Sequence, residues 1–146
     1  MSVGDWTDSM APFWPISHTA DLGILVRSAD LAGLFTEAAK GLACLLFREA
    51  PLVPSGWRDL ELEAPDRELL LAEFLGELLF LASEDGLAAL VIEIIELGDT
   101  RIKASIGIRP VGDLDGIKTE IKAVTYHGLK ISRTDQGLEA TVIFDV

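Results

Sequence analysis

The order of apolar and polar positions along the chain predicts two amphipathic helices. After Asp30, apolar residues recur every three or four positions as far as Leu46, which predicts a helix capped by Asp30. The same spacing from Arg67 to about Ser83 predicts a second helix, with Asp66 as its cap. A short apolar run before the first helix, residues 22–26, has the length and composition of a strand.

The second half of the chain alternates apolar and polar residues, and this period predicts strands. Alternation covers residues 60–64 between the helices, then 102–108, 117–125 and 138–144, while residues 88–97 are rich in Ile and Val. Strands that follow an early helical region indicate an α+β fold. We expect a single domain with a mostly antiparallel β-sheet and two main helices packed on one face. Residues 1–15 show no period and are predicted to be an irregular N-terminal extension, which leaves 16–146 as the folded domain.

The amino-acid composition indicates how many cores the chain can form and where the protein is expected in the cell. The 146 residues are 49% hydrophobic, which is enough for one core. The apolar runs are shorter than a membrane span, no signal peptide is recognisable, and Cys44 is the only cysteine, so a cytoplasmic protein is expected. Cys44 lies among leucines of the first helix and is predicted to be buried.

The net charge of −12 argues against nucleic acid as a direct partner. An acidic surface repels phosphate backbones, so direct binding to nucleic acid is not expected. The same charge could attract a basic protein, such as an RNA-handling enzyme, or serve only solubility. Both interpretations stay open on charge alone.

The first candidate site is the run His18-Thr-Ala-Asp21, just before the first strand. Two side chains three positions apart can reach one point, and an aspartate there suits a hard cation such as calcium or magnesium. Aspartate in a turn more often accepts hydrogen bonds from nearby backbone amides, and on spacing alone that alternative is favoured.

The second candidate is the run Lys122-Ala-Val-Thr-Tyr-His127. It places an amine, a phenol and an imidazole on one predicted strand. The two-residue period puts His127 on the side of Ile121 and Ile131, towards the core. A core histidine held by hydrogen bonds is the favoured interpretation, with a functional imidazole as the alternative.

The third candidate is the end of the sequence. Val142 and Phe144 are predicted to face the core, so Asp145 should face the other way. Asp145 and the terminal carboxylate of Val146 then lie close together and repel each other unless a cation or a base sits between them. A frayed end is the alternative, but alternation up to the last residue argues against it.

The remaining features predict no catalytic machinery. Glu73 and Glu77 lie four positions apart on the second helix and are interpreted as a solvated face, with an acidic partner surface as the alternative. Phosphate-binding glycine loops, dinucleotide and zinc motifs and the nucleophile elbow are all missing from the sequence. The protein is therefore predicted not to be an enzyme.

Taken together and in this order, these segments resemble the archease family. The matching segments are His18-Thr-Ala-Asp21-Leu-Gly-Ile24, Gly33-Leu-Phe-Thr-Glu-Ala-Ala-Lys-Gly-Leu42, Glu68-Leu-Leu-Leu, Phe74-Leu-Gly-Glu-Leu-Leu-Phe-Leu81, Lys122-Ala-Val-Thr-Tyr-His127 and Val142-Ile-Phe-Asp-Val146. The resemblance covers residues from about 16 to the end. It departs from the family at residues 74–76, where relatives tend to carry Trp and Asn, and at 111–116, a shorter segment without the basic and histidine residues expected there.

The resemblance implies a function in tRNA splicing and RNA repair. Archeases are non-catalytic partners of the RtcB-type RNA ligase: they promote its guanylylation and its multiple turnover, and the family has also been linked to a chaperone effect on a tRNA methyltransferase. It further implies a divalent cation, with calcium expected and magnesium or manganese as alternatives, held by Asp21, Asp145 and the carboxylate of Val146. Other positions expected to face the partner or support the site are His18, Glu77, Lys122 and His127. Whether the protein forms a homo-oligomer is left open.

Overall fold

The computed structural model describes residues 12–18, 21–48, 53–126 and 128–146. Within these residues the chain forms eight strands and two α-helices. In chain order they are β1 (Phe13–His18), β2 (Asp21–Ser28), α1 (Leu31–Phe47), β3 (Gly56–Glu63), α2 (Arg67–Ser83), β4 (Leu87–Leu97), β5 (Arg101–Pro110), β6 (Ala123–Val124), β7 (Ile131–Thr134) and β8 (Gly137–Asp145). A 3₁₀ turn, Val111–Leu114, follows β5.

The strands form two antiparallel sheets. Sheet A has the order β1-β2-β8-β6, and β7 also pairs with β8. Sheet B has the order β3-β5-β4. Helix α1 packs against β1, β2 and β8 of sheet A and against β4 of sheet B, while α2 contacts β3, β4 and β6. The predicted α+β, mostly antiparallel fold is confirmed, and the structure adds that the strands divide into two sheets that both contact the helices.

Both helices begin at the predicted caps. The side chain of Asp30 accepts a hydrogen bond from the backbone N–H of Gly33 at 2.8 Å, and Asp66 does the same for Leu69 at 2.8 Å. Each cap satisfies an N–H that has no partner within the helix. Within the described residues, neither helix is long and apolar enough to span a bilayer.

Helix α2 is apolar on most sides because it contacts both sheets. Its largest fully buried residues are Leu70, Leu71, Phe74 and Leu75. The ring of Phe74 packs against that of Phe35 from α1, with 5.5 Å between the ring centroids. Burying side chains of this size contributes about 1.5–3 kcal/mol each, so these four residues stabilise the packing of α2 against its neighbours.

Strand β8 lies inside sheet A and follows the predicted alternation. Leu138, Ala140, Val142 and Phe144 are buried, whereas Asp145 is exposed. Strand β8 pairs with β2 on one side and with β6 and β7 on the other. The last strand of the sequence is therefore held on both sides as far as Asp145.

Two predictions about secondary structure are wrong in part. The irregular extension was predicted to reach residue 15, but Phe13–His18 is a strand. Pro15 argued against a strand in the sequence. Strand β1 tolerates proline because it is an edge strand, where a missing N–H costs no ladder hydrogen bond.

Residues 117–125 were predicted to be one strand, yet only Ala123–Val124 is. Before it, the N–H of Lys118 bonds to the carbonyl of Leu46 at the end of α1, so the backbone follows the helix instead of a sheet.

The prediction that Cys44 is buried is also wrong. Cys44 is exposed, while its neighbours in the sequence, among them Leu42, Ala43, Leu46 and Phe47, are buried. Apolar neighbours in the sequence suggested burial, but the turn of the helix points position 44 away from the core.

Candidate metal site and the adjoining groove

Antiparallel pairing aligns four backbone positions in one row across sheet A. His18 pairs with Asp21, Asp21 pairs with Asp145, and Asp145 pairs with Ala123. Directly paired positions share a face of the sheet, with about 4.5–5.5 Å between their Cα atoms. The row therefore brings together two of the predicted ligands, which are 124 positions apart in the sequence.

Asp145 lies on the face of sheet A that is turned away from the helices, because its neighbour Phe144 is fully buried in the core. Its backbone oxygen accepts a hydrogen bond from the N–H of Lys122 at 2.8 Å. Val146 follows with 45% of its surface exposed. The end of the sequence is thus fixed against the segment before β6.

The pairing of Asp21 with Asp145 fits a hard cation. Like charges at directly opposed positions of an antiparallel pair destabilise a sheet, and a divalent cation bound by carboxylate oxygens removes that repulsion. Residues that could hold it are Asp21, Asp145 and Val146, the last through its terminal carboxylate. Among the side chains that the structure describes, no group of three or more His, Cys, Asp or Glu residues is close enough to hold a metal ion.

Three of the predicted site residues lie partly or wholly outside the described residues. The backbones of His18 and Asp21 are described but their side chains are not, and His127 is not described at all. The expectation that His127 faces the core therefore stays a prediction.

Glu77 and Lys122 both line a groove next to this row. It lies between α2 and the segment around β6, and its volume is about 370 Å³. Ala123, the β6 residue that pairs with Asp145, forms part of its wall. The other lining residues are Leu62, Ala72, Glu73, Gly76, Leu79, Phe80, Ser83, Val124 and Tyr126.

Helix α2 supplies one wall of this groove through residues 73, 76, 77 and 80, which follow one another at helical spacing. The first turn of the helix is tied to sheet A. Glu68 accepts a hydrogen bond from the N–H of Ile131 at 3.0 Å, and Arg67 donates one to the carbonyl of Ile131 at 3.2 Å. The position of the groove wall relative to the sheet is thus set by side-chain contacts as well as by core packing.

Two exposed aromatic side chains lie at the groove: Tyr126 belongs to the second candidate run, whereas Phe80 was not singled out in the sequence. Phe80 is 52% exposed and Tyr126 is 58% exposed. Phe80 lies near the end of the predicted second helix, among leucines. The available signal was the spacing of Glu73, Gly76, Glu77 and Phe80, which places a polar face and an aromatic ring on the same side of α2.

The ion pairs in the described part of the chain lie elsewhere and involve neither acidic residue of the groove. They join Arg27 to Glu139, Lys40 to Glu37, Arg58 to Asp85, Arg101 to Glu61 and Arg109 to Asp113. On sheet B, the guanidinium of Arg101 holds the pKa of Glu61 below its usual value through a hydrogen bond and charge attraction. Glu73 and Glu77 thus line the groove without forming an ion pair among the described residues.

Comparison with known proteins identifies the family. The model of the archease protein family matches residues 13–146. The archease of Archaeoglobus fulgidus is 33% identical over 144 residues, with 90% of this chain and 96% of that protein covered. The archease of Methanosarcina acetivorans is 31% identical over 136 residues, covering 90% and 93%.

Solved structures share the fold. The solution structure of protein 1598 from Methanobacterium thermoautotrophicum superposes with a TM-score of 0.72 at 28% identity, covering 94% of this chain and all of that one. The crystal structure of an archease from Thermotoga maritima, described as a possible chaperone, gives a TM-score of 0.61 at 24% identity over 90% of this chain and 95% of that one. The family match over nearly the whole chain, the curated relatives and the common fold agree, and the chain belongs to the archease family.

Proposed function

We propose that this protein activates an RtcB-type RNA ligase in tRNA splicing or RNA repair. It promotes guanylylation of the ligase and lets the ligase turn over repeatedly, and it catalyses no reaction of its own. The observation that carries this proposal is the pairing of Asp21 with Asp145 across sheet A, at the positions where the family resemblance implies a metal site. Membership of the archease family over residues 13–146 supports it.

The carboxylates of Asp21, Asp145 and Val146 would hold a divalent cation, for which we propose calcium; magnesium and manganese also accept oxygen ligands. When bound, the cation supplies positive charge that cancels the repulsion between the paired aspartates. The backbone contact from Lys122 to Asp145 fixes the strand end on which one ligand stands. This site would order the surface that meets the partner.

Charge supplies the attraction to the ligase. An RNA-binding enzyme needs a basic surface, and this chain carries a net charge of −12. Opposite charges speed encounter and orient the two proteins. Docking near the ligase active site changes the ligase only if this protein binds the guanylylation-competent state more tightly than the other state. The residues of this chain thus act by binding and orienting.

Asparagine variants at the paired aspartates test the proposal. Asp21→Asn and Asp145→Asn keep the shape of each side chain and remove one charge. We expect both to lose stimulation of the ligase in multiple-turnover assays with a broken tRNA-like substrate. Asp135→Asn, in the exposed turn between β7 and β8, is the matched control and should stimulate normally. Full stimulation by both site variants would refute the proposal.

A chaperone for a tRNA methyltransferase is the second candidate. The archease of Thermotoga maritima is described as a possible chaperone. The observation in this chain that favours it is the exposure of large apolar side chains, among them Trp57, Phe80 and Ile95. Thermal aggregation of the methyltransferase, followed by light scattering with and without this protein, measures the effect. Protection that survives Asp145→Asn would assign the chaperone effect to a surface other than the metal site.

A further inference from the structure

We propose that the groove between α2 and β6 binds an arginine-bearing segment of the partner protein. The guanidinium group would sit between Glu73 and Glu77, beside the exposed rings of Phe80 and Tyr126. The identification of that partner as the RNA ligase rests on the proposed function, whereas recognition of the arginine rests on the groove itself.

The two carboxylates provide the charge. Glu73 and Glu77 are one helical turn apart, both line the groove, and neither takes part in an ion pair within the described residues. Like charges at this spacing destabilise a helix. A guanidinium group between them would replace repulsion by two charge-assisted hydrogen bonds, and its flat fork of donors suits carboxylates better than an ammonium group does.

The aromatic rings provide the second contact. More than half of the surface of Phe80 and of Tyr126 is open to solvent, although both residues line a concave site. A guanidinium group stacks on aromatic faces through its weakly hydrated plane. On the β6 side, Lys122 also lines the groove, and its ammonium group can donate to the carbonyl oxygens of a bound peptide. The lining thus suits a protein segment with one or two arginines.

Gly76 is an independent sign of a close approach at the groove. It lies in the middle of α2, where glycine weakens a helix relative to alanine. A Cβ added there would meet nothing within 4 Å, so packing inside this chain does not require glycine. The missing side chain leaves the groove open between the two carboxylates.

The groove also lies beside the candidate metal site. Ala123 lines the groove and pairs with Asp145 on the neighbouring strand. A segment bound in the groove would therefore place its protein next to the paired aspartates. An RNA strand fits poorly, because the carboxylates would repel its phosphates.

A blocked pentapeptide, Gly-Arg-Phe-Arg-Gly, is the probe. Amide shifts in two-dimensional NMR should concentrate at Gly76, Glu77 and Ala123. Replacing both arginines of the probe by citrulline, which keeps the shape and removes the charge, should weaken binding about tenfold or more. Shifts spread evenly over the acidic surface, or tighter binding of a single-stranded RNA at the same amides, would overturn the proposal.

Protein variants complete the test. The pair Glu73→Gln and Glu77→Gln should weaken peptide binding about tenfold, whereas Glu93→Gln with Glu96→Gln, an equal charge change on exposed β4 residues outside the groove, should leave it unchanged. Gly76→Gln should fill the groove and abolish binding, and thermal unfolding should show that the fold is retained. Equal binding by Gly76→Gln, or equal losses in the two glutamine pairs, would refute the groove.

Measurements with the ligase distinguish a failure of this inference from a failure of the proposed function. We expect Gly76→Gln to bind the ligase more weakly while calcium affinity is unchanged. If the wild-type protein binds the peptide but Gly76→Gln binds the ligase as tightly as the wild type does, the groove does not serve the ligase. No stimulation of the ligase by the wild-type protein would instead refute the proposed function and leave the peptide result standing.

Discussion

At the scale of single residues, Cys44 shows how neighbouring atoms set the chemistry of a side chain. It is exposed on α1, yet partial burial of the thiol raises its pKa above the usual value. A raised pKa leaves less thiolate at a given pH, and thiolate is the reactive form. We expect alkylation by iodoacetamide between pH 7 and 9 to be slower than for a blocked cysteine, with the midpoint of the rate profile at higher pH. A midpoint at or below that of blocked cysteine would contradict this expectation.

Val146 offers a test in which no side chain is changed. Adding one glycine after Val146 moves the terminal carboxylate away from Asp145 while both aspartates stay in place. We expect calcium affinity in calorimetry to fall about tenfold, the scale of one lost ligand interaction of about 1.4 kcal/mol. Val146→Ala is the matched control, because it keeps the carboxylate in position. Equal affinity for the extended and wild-type chains would show that Val146 is not a ligand.

The sequence predicted individual residues well where a local period determined their surroundings. Alternation placed Asp145 on the outer face of β8, and the structure confirms it. The pairing of Asp145 with Asp21 could not be read from any period, because register depends on how strands far apart in the chain meet. Only the family resemblance had connected these two residues.

At the scale of elements, α2 carries an internal glycine that weakens it. We expect Gly76→Ala to stabilise the protein by about 0.5–1 kcal/mol, because alanine is the better helix former and its Cβ meets nothing within 4 Å. Thermal or urea unfolding measures the change. Gly137→Ala is the contrasting case: its backbone has a positive φ and its Cβ would collide with the backbone of Ser28, so that variant should be destabilised. A destabilised Gly76→Ala protein would show that the glycine has a structural role.

Helices were predicted more accurately than the middle strands for a physical reason. Asp30 and Asp66 act on amides three positions away, so the start of each helix is encoded locally. The segment around Lys118 is shaped by a hydrogen bond to Leu46, which is 72 positions away in the sequence. Alternation alone could not reveal that competing partner. The same holds for the division of the strands between two sheets, which depends on the burial of α2 from both sides.

At the scale of the whole molecule, the proposed cation site predicts a change in stability. A ligand that binds only the folded chain stabilises it by about 2.7 kcal/mol at a concentration of 100 times its Kd. For a chain of this size, we expect saturating calcium to raise Tm by about 5–10 °C and a chelator to reverse the effect. Scanning calorimetry checks it. The Asp145→Asn variant should show a much smaller shift, and an equal shift there would place the cation elsewhere.

The side chains at the start of α2 also affect how this molecule meets copies of itself. Strand β7 lies at an open edge of sheet A, and an open edge can recruit a strand from a second chain and begin aggregation. At Ile131, the amide and the carbonyl that such a strand would need are already taken by Glu68 and Arg67. Two charged side chains therefore block edge-to-edge association at this position while they hold the helix in place.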